Sequence, residues 1–236
     1  MAVRPLHLIL LAGGQGLRAA GEVPKQFRST GRGLLFSVSL REFLALDAES
    51  GFRPADLVLA VADSWRDVAS AELEGLGVPW TLAPAGASRT ASTWHSVREC
   101  AARFDPGPDD LVAVHDAARP FATADLLARL AVAAARAGGA VPGVPVPDTI
   151  VQDTGDGARY LDRSSLLAVQ TPQVFRWKPF QAAHAWAAEN GVECTDDGGL
   201  LAEKGLQPEV VAGETGNWKV TTDADWRRAA AILESS

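Results

Sequence analysis

Residues 8–27 read LILLAGGQGLRAAGEVPKQF, and this stretch decides the fold. The apolar run LILL is typical of a buried parallel strand, and it stops at the glycine turn AGG, residues 12–14. Glycines let backbone N–H groups turn toward an anion, and Arg18 and Lys25 can neutralise a polyphosphate at short range. The loop fits neither the P-loop pattern nor the GxGxxG dinucleotide fingerprint. We therefore expect a nucleotide-phosphate loop of another type, the alternative being a plain connection.

Composition limits the class of protein. The chain has 236 residues, 47% of them hydrophobic, which is enough to bury the core of an α/β domain. The net charge of -7 argues against a nonspecific nucleic-acid-binding protein, so an anion site must be a local cationic pocket. Cys100 and Cys194 lack the spacing of zinc ligands, which suits a reducing compartment. With no apolar run of membrane-spanning length, we expect a cytoplasmic protein without a membrane partner.

Strand and helix patterns alternate as far as Ala137. Because parallel strands need crossover connections, this alternation predicts an α/β fold with a Rossmann-like, three-layer, mostly parallel sheet. The predicted strands are Leu8–Leu11, Asp56–Ala62, Trp80–Leu82 and Asp110–His115. The predicted helices are Leu34–Leu46, a helix through about Leu76 that Asp63 or Ser64 caps, Ser88–Phe104 and Ala124–Ala137. Ser88 or Thr90 is predicted near the cap of the third helix, and Thr123 is predicted to cap the fourth.

Residues 142–169 interrupt the alternation. Several prolines precede a hairpin pattern whose turn is the sequence GDG at residues 155–157. An arm too small for its own core usually packs on another surface, often a second subunit, so we expect a dimerisation arm. Helices are predicted again at Pro179–Glu189 and Asp197–Lys204, and Thr222 begins a last helix with a capping box. We predict a single domain, residues 1–236, that carries this arm.

Polar residues follow the predicted strand that ends at His115. Open α/β sheets bind ligands at the carboxyl ends of their strands, and Asp116 and Arg119 lie there. No Ser or Cys nucleophile is nearby, so we interpret His115 as structural and Asp116 as facing the ligand. A carboxylate beside a polyphosphate can hold Mg²⁺. Arg119 could bind an anionic substrate, with a structural ion pair as the alternative.

A further lysine lies in the segment NWKVT, residues 217–221. A short strand would place Asn217, Lys219 and Thr221 on one face, which suggests an anion site, the alternative being a solvated edge strand. Asp196 and Asp197 are interpreted only as acids at a helix N-terminus. Cations, a glycine turn and one carboxylate, without an activated nucleophile, indicate transfer chemistry at a phosphate.

Six segments together resemble the 2-C-methyl-D-erythritol 4-phosphate cytidylyltransferase family of the non-mevalonate isoprenoid pathway. They are LLAGGQGLRAAGEVPKQF, VHDAARPF, PVPDTI, LDRSSLLAVQTPQVF, TDDGGLLAEKG and NWKVTT, and they span nearly the whole chain. VHDAARP and TPQ are fairly specific, whereas many nucleotidyltransferases share the glycine turn. The resemblance implies a homodimer that uses CTP and Mg²⁺ to convert methylerythritol 4-phosphate into its cytidine diphospho derivative and pyrophosphate.

The resemblance also implies a role for each candidate residue. The catalytic cations would be Arg18, Lys25 and Lys219. CTP would contact Ala12, Gly13, Gly14, Gly16, Gly86 and Ser92. The polyol phosphate would contact Asp116, Arg119, Thr149, Thr171 and, from the arm of the other subunit, Arg163. The magnesium ligand would be Asp116.

Two other functions stay open at this point. A ribitol 5-phosphate cytidylyltransferase shares the loop, a DxxRP segment and NxKVT, and the AA pair inside DAARP gives methylerythritol phosphate only thin support. A noncatalytic nucleotide-binding protein could have kept the same fold. The presence of Arg18, Lys25 and Lys219 argues against it, because pure binding would tolerate the loss of a cation that acts in the transition state.

Overall fold

The computed structural model describes residues 3–14 and 23–235. These residues form seven α-helices and twelve strands. The helices are α1 (Leu35–Leu44), α2 (Arg66–Leu73), α3 (Arg89–Phe104), α4 (Ala124–Ala137), α5 (Trp177–Asn190), α6 (Asp197–Glu203) and α7 (Asp223–Glu234). The strands are β1 (Arg4–Leu11), β2 (Ser29–Thr30), β3 (Gly33–Leu34), β4 (Phe52–Val61), β5 (Trp80–Pro84), β6 (Leu111–Asp116), β7 (Gly139–Pro145), β8 (Val151–Asp153), β9 (Ala158–Tyr160), β10 (Leu167–Val169), β11 (Gln173–Arg176) and β12 (Glu209–Ala212).

A mixed, mostly parallel sheet of eight strands forms the middle layer. β5, β4, β1 and β6 are parallel neighbours in that order. β11 lies antiparallel between β6 and β7, and β12 pairs parallel with β7. β10 also pairs with β7, and because β12 occupies the other edge of β7, β10 and β11 lie end to end along one edge.

Two apolar clusters cover the two faces of the sheet. Leu8 and Leu10 belong to a cluster that includes residues of α1, α2 and α4, whereas Ile9 belongs to a cluster with residues of α3, α5 and α6. Successive residues of a strand point to opposite faces, so the helices form separate layers on either side. The predicted α/β class with a three-layer, mostly parallel sheet is confirmed.

The helix starts follow the predicted capping residues. The side chain of Ser88 accepts from Ala91 N at the start of α3, and that of Thr123 accepts from Leu126 N at the start of α4. Thr222 and Asp225 form the predicted capping box of α7. Within the described ranges, none of the helices has the length and apolarity needed to cross a bilayer.

Two parts of the predicted arm belong to the main sheet instead. Residues 142–145 lie in β7 and residues 167–169 form β10, so the segment outside the sheet is 146–166. Prolines obscured β7 because they lack an N–H donor, but Pro142 contributes its carbonyl oxygen, which accepts from Gln170 N at 2.9 Å. The hairpin itself is present as β8 and β9, with Gly155 in the turn at φ +80°.

The predicted strand at residues 217–221 is wrong: this segment is described throughout and has no strand ladder. Its main chain is held at Val220, whose N–H donates to Ala118 O at 2.8 Å. The predicted common face holds for Lys219 and Thr221 but not for Asn217, which is buried. Lys219 and Thr221 line a cleft, while Val220 is buried in a small apolar cluster with Leu35.

Candidate active site

A cleft of about 700 Å³ opens at the carboxyl ends of the parallel strands. Leu11 of β1, Pro84 of β5 and Asp116 of β6 line it. The order of strands along the chain reverses between β1 and β6, and open α/β sheets bind ligands at such a switch point. Seven of the predicted site residues line the cleft: Gly13, Gly14, Lys25, Gly86, Ser92, Asp116 and Lys219.

Two glycines allow the loops around the cleft to approach closely. A Cβ on Gly13 would lie 2.5 Å from the Cβ of Ala85, and a Cβ on Gly86 would lie 2.7 Å from the backbone nitrogen of Ser92. Ser92 Oγ accepts from Gly86 N at 2.9 Å and donates to Ser88 O at 2.8 Å. The loop before α3 is therefore held against the first turn of that helix.

Gln26, which the sequence analysis missed, holds the glycine turn after β1. Its Nε2 donates to Ala12 O at 2.8 Å and to Gly14 O at 2.6 Å. The two carbonyl oxygens are thereby occupied by the protein. Gly16 and Arg18, which were predicted to bind and stabilise the phosphates, lie outside the described residues.

Lys25 and Lys219 come from distant parts of the chain to one cleft. Lys25 Nζ donates to Thr221 O at 3.2 Å, and Lys219 Nζ donates to Asp116 Oδ2 at 2.7 Å. The Lys219 side chain is 44% exposed, so it can contact a ligand while it pairs with Asp116. Two cations therefore face the space beyond the glycine turn, as the sequence predicted for a phosphate site.

Asp116 lies between two cations. Besides Lys219, Arg89 donates from Nε to Asp116 Oδ1 at 3.2 Å. Burial alone would raise the pKa of Asp116, but Arg89 and Lys219 outweigh it and hold that pKa well below its usual range. The carboxylate stays ionised at neutral pH.

Arg89 and Asp197 extend this network into the protein. Arg89 Nη2 donates to Asp197 Oδ2 at 2.8 Å, and His184 Nε2 lies 3.0 Å from Asp197 Oδ1. Burial would raise the pKa of Asp197, but Arg89 and His184 lower it to about 2. Arg89 is not among the site residues predicted from sequence, and Asp197 is predicted there only as an acid at a helix N-terminus. The sequence feature that could have indicated Arg89 is its place in the first turn of α3, where the helix dipole disfavours a cation.

His115 and Thr171 support Asp116 from behind. His115 Nε2 lies 2.9 Å from Arg119 O, and Thr171 Oγ1 accepts from Asp116 N at 3.0 Å. Burial lowers the pKa of His115 to about 4, so the imidazole is neutral. A buried, neutral, hydrogen-bonded side chain agrees with the interpretation of His115 as structural.

Arg119 is not among the residues that line the cleft. Its Nη1 donates to Asn217 O at 2.9 Å, and its pKa is lowered, chiefly by burial. Asn217 is buried and donates from Nδ2 to Thr171 O at 2.8 Å. Gln170, which the sequence analysis also missed, donates to Asn217 O and to Glu214 O. These contacts fix the segment that carries Lys219.

Thr149 and Arg163 are exposed residues of the segment 146–166. Neither is among the residues that line the cleft of the same chain. Arg163 donates from Nη1 to Pro147 O, which keeps it on the arm. Their predicted contact with the polyol phosphate would need the arm of another subunit, and it stays a prediction.

A second buried polar group lies at the opposite end of the sheet. His7, Asp56 and Cys100 offer possible metal-ligand atoms that all lie within 4.8 Å of one another. His7 Nδ1 and Asp56 Oδ2 are 2.7 Å apart, and His7 Nε2 is 3.4 Å from Asp110 Oδ2. The shorter distance is that of a direct hydrogen bond, so we interpret the group as an imidazole between two carboxylates.

The glycine turn at the switch point and the two lysines that line the cleft define a nucleotidyltransferase of the α/β class. The family model described as IspD: 2-C-methyl-D-erythritol 4-phosphate cytidylyltransferase matches residues 6–235. The chain belongs to this family.

Known proteins similar to the chain agree with this assignment. A bifunctional enzyme IspD/IspF of Anaeromyxobacter sp. (strain Fw109-5) is 38% identical over 232 residues, which cover 96% of this chain and 57% of that enzyme. A crystal structure of 2-C-methyl-D-erythritol 4-phosphate cytidylyltransferase from Thermus thermophilus has 31% identity and a TM-score of 0.73, covering 95% of this chain and 96% of that one. A 4-diphosphocytidyl-2C-methyl-D-erythritol synthase structure from Anaerococcus prevotii, at 23% identity and a TM-score of 0.81, covers 98% and 96% of the two chains and shows the shared fold.

Proposed function

We propose that the protein transfers a cytidylyl group from CTP to 2-C-methyl-D-erythritol 4-phosphate and releases pyrophosphate. The observation that carries the proposal is the meeting of Lys25, Lys219 and Asp116 at the switch-point cleft, beside the glycine turn. Family membership supports the choice of nucleotide and acceptor. The chain spans little more than half the length of the bifunctional relative, so the proposal concerns the transferase reaction alone.

In the proposed reaction, an oxygen of the acceptor phosphate attacks the α-phosphorus of CTP. The new bond joins that oxygen to phosphorus, and the bond from the α-phosphorus to the oxygen that bridges to the β-phosphate breaks. The acceptor oxygen is already ionised, so the protein needs no nucleophile of its own. Lys25 and Lys219 would stabilise the negative charge that spreads over the transferring group, together with Arg18.

The cytidine would lie along the loops that carry Gly13, Gly86 and Ser92. Their backbone groups face the cleft without intervening side chains, since both glycine positions leave no room for a Cβ. We propose that Gly14 also contacts the nucleotide through its backbone N–H, while Ala12, predicted as a further contact, would support the turn from within the protein, because its N–H donates to Ala60 O and its carbonyl oxygen accepts from Gln26. Ser92 would act mainly by holding Gly86, because its hydroxyl already accepts from that residue.

Mg²⁺ would accompany the triphosphate. The chemistry of the chain fits an ion held mostly by phosphate oxygens and water, because Asp116 supplies one carboxylate in the cleft and both of its oxygens have cationic partners. Asp116 Oδ2 would hold the ion, and Lys219, freed from that oxygen, would contact phosphate. The ion would supply further neutralisation of phosphate charge.

The acceptor would bind on the Asp116 side of the cleft, and Arg119 and Thr171 would support that side from behind. We propose that Thr149 and Arg163 reach it from the arm of a second copy, in a homodimer of single-domain subunits in the cytoplasm. Exposed apolar side chains on the arm and on β10 support a protein partner there, since Tyr160 is 74% exposed and Leu167 is 48% exposed.

A pyrophosphate-release assay tests the proposal. The purified protein is incubated with CTP, Mg²⁺ and either 2-C-methyl-D-erythritol 4-phosphate or ribitol 5-phosphate. We expect release with the first acceptor and little with the second. Preference for ribitol 5-phosphate would overturn the acceptor assignment, and CTP binding without release under either condition would indicate a noncatalytic protein.

A further inference from the structure

Arg89 links three elements at the floor of the cleft. It is the first residue of α3, and its guanidinium donates from Nε to Asp116 at the end of β6 and from Nη2 to Asp197 at the start of α6. Nε and Nη2 lie on the same edge of the planar group. A single edge therefore holds two carboxylates that belong to different elements.

This arrangement is costly for a purely structural contact. The Arg89 side chain is 21% exposed and that of Asp197 is 1% exposed, so charges are removed from water. Buried ion pairs contribute little net stability compared with apolar packing, and a cation in the first turn opposes the helix dipole. A charge network that is expensive to bury and ends at a cleft residue is typical of a functional site.

The network fixes the orientation of Asp116. With Oδ1 held by Arg89, Oδ2 of the same carboxylate faces Lys219, 2.7 Å away. Asp197 in turn holds Arg89, and His184 Nε2 lies 3.0 Å from the other oxygen of Asp197. The carboxylate in the cleft thus has a chain of buried partners behind it that ends on α5.

We infer that Arg89 is a positioning residue, which acts on the transfer reaction through Asp116 and is itself held by Asp197. The inference rests on the proposed function, in which Asp116 and Lys219 handle the acceptor and the transferring phosphate. Arg89 lines the cleft, but its Nη1 is buried without a hydrogen-bond partner among the described residues, and Nε and Nη2 each donate to a carboxylate of the protein, so the contacts that the guanidinium makes are with Asp116 and Asp197. A lysine would offer one nitrogen in place of the two that hold the carboxylates, so we expect it to replace the arginine only in part.

The test is a double-mutant cycle between Arg89→Gln and Asp116→Asn, made in an Asp197→Asn background. That background replaces the buried carboxylate that Arg89→Gln would deprive of its cation by an amide, whose oxygen can still accept from Arg89 where the arginine is kept. Steady-state kinetics with CTP and 2-C-methyl-D-erythritol 4-phosphate give kcat/KM for the acceptor, and equilibrium titration gives the Kd of CTP. Arg136→Gln is the matched control, because Arg136 pairs with Glu209 outside the cleft.

If Arg89 acts through Asp116, Arg89→Gln lowers kcat/KM for the acceptor by on the order of 10–100-fold when Asp116 is present. With Asp116→Asn already in place, the same change lowers it by less than about threefold. The Kd of CTP stays close to that of the background protein, and Arg136→Gln changes neither quantity. Equal losses with and without Asp116, or a full recovery with Arg89→Lys, would overturn the inference.

Urea unfolding of the same four proteins separates this inference from the proposed reaction. Absence of pyrophosphate release from the unmodified protein would count against the reaction alone. A double-mutant cycle built from the four unfolding free energies would still measure the coupling between Arg89 and Asp116. A clear coupling supports the positioning contact, whereas additive effects on stability contradict it.

Discussion

Thr171 Oγ1 lies 3.1 Å from His115 Nδ1, and the tautomer of the buried imidazole sets the direction of this hydrogen bond. The other ring nitrogen, Nε2, faces the carbonyl oxygen of Arg119, which can only accept, so Nε2 carries the proton. Nδ1 of the neutral ring must then accept from the Thr171 hydroxyl. The same hydroxyl accepts from the backbone N–H of Asp116, so the position of this cleft residue depends on a neutral histidine.

Thr171→Val should therefore destabilise the protein although it preserves side-chain shape. The change leaves His115 Nδ1 and the Asp116 N–H without their partner, which should lower the free energy of unfolding by about 1–3 kcal/mol. Thr171→Ser keeps the hydroxyl and serves as the control. Urea denaturation at neutral pH measures both variants, and equal stability of the two would contradict the hydrogen-bond assignment.

His115 should make stability fall in mild acid. Its pKa is about 4 in the folded protein, below the usual 6.5, because burial disfavours the charged ring. Between these pH values the unfolded chain binds a proton that the folded chain does not, so unfolding becomes easier as pH decreases. The loss from this group should be on the order of 3 kcal/mol.

Unfolding free energies measured from pH 7.5 to 4.5 test this, with His115→Gln as the variant that cannot titrate. The wild-type protein should lose more stability over that range than His115→Gln does. Parallel curves for the two proteins would mean that the ring is not held neutral by the fold.

His7 should titrate in the opposite sense. Burial would lower its pKa, but the hydrogen bond and charge of Asp56, with a smaller contribution from Asp110, raise the pKa above 6.5. Its contribution to stability is then complete below pH 6.5 and is lost as pH rises through the folded pKa. A histidine titration by NMR should show a raised value that falls in Asp56→Asn. A value that does not change in this variant would rule out the ion pair.

Lys25→Ala and Lys219→Ala should each lower kcat by about 10²–10³-fold without unfolding the protein, because each removes a charge that stabilises the transferring phosphoryl group. The Kd of CTP should change less. Lys204→Ala is a matched control, since Lys204 lies over the ring of Trp186 outside the cleft. Near-normal turnover in either cleft variant would exclude that lysine from the reaction.

The arm can be tested by mixing subunits. If Arg163 acts in the cleft of the partner, a dimer of one Arg163→Ala chain and one Lys219→Ala chain contains one site with both defects and one site with neither. Activity should then recover relative to either homodimer. Absence of recovery in purified mixed dimers would place Arg163 in the site of its own chain or outside the reaction.

The part of the site that sequence could predict lies close to strand ends. The AGG turn after β1, Asp116 after the apolar run of β6, and the alternation that directs Lys219 inward are all local patterns, and the structure brings them to one cleft. The same local signals gave the helix caps at Ser88 and Thr123. Periodicity and capping act over a few residues, so a single sequence reveals them.

Contacts between distant elements could not be predicted in this way. Arg89 and Asp197 are 108 positions apart, and their pairing depends on how α6 packs beside α3. β11 has only four residues, too few for an alternating pattern, and β7 contains prolines that usually argue against an inner strand. Neither the antiparallel placement of β11 between β6 and β7 nor the number of strands in the sheet follows from local preferences.

Because β10 and β11 lie end to end, the number of residues that connect the arm to the cleft is fixed. Val169 is the last residue of β10 and Gln173 is the first residue of β11, with Thr171 midway between them. One residue added or removed here would shift the pairing of β11 with β6, turn Val174 and Phe175 to the wrong faces and move the hydroxyl that holds Asp116. The turn at residues 154–157 has no such constraint. Insertions and deletions should therefore accumulate at the tip of the hairpin, while the four-residue spacing from Val169 to Gln173 should stay constant.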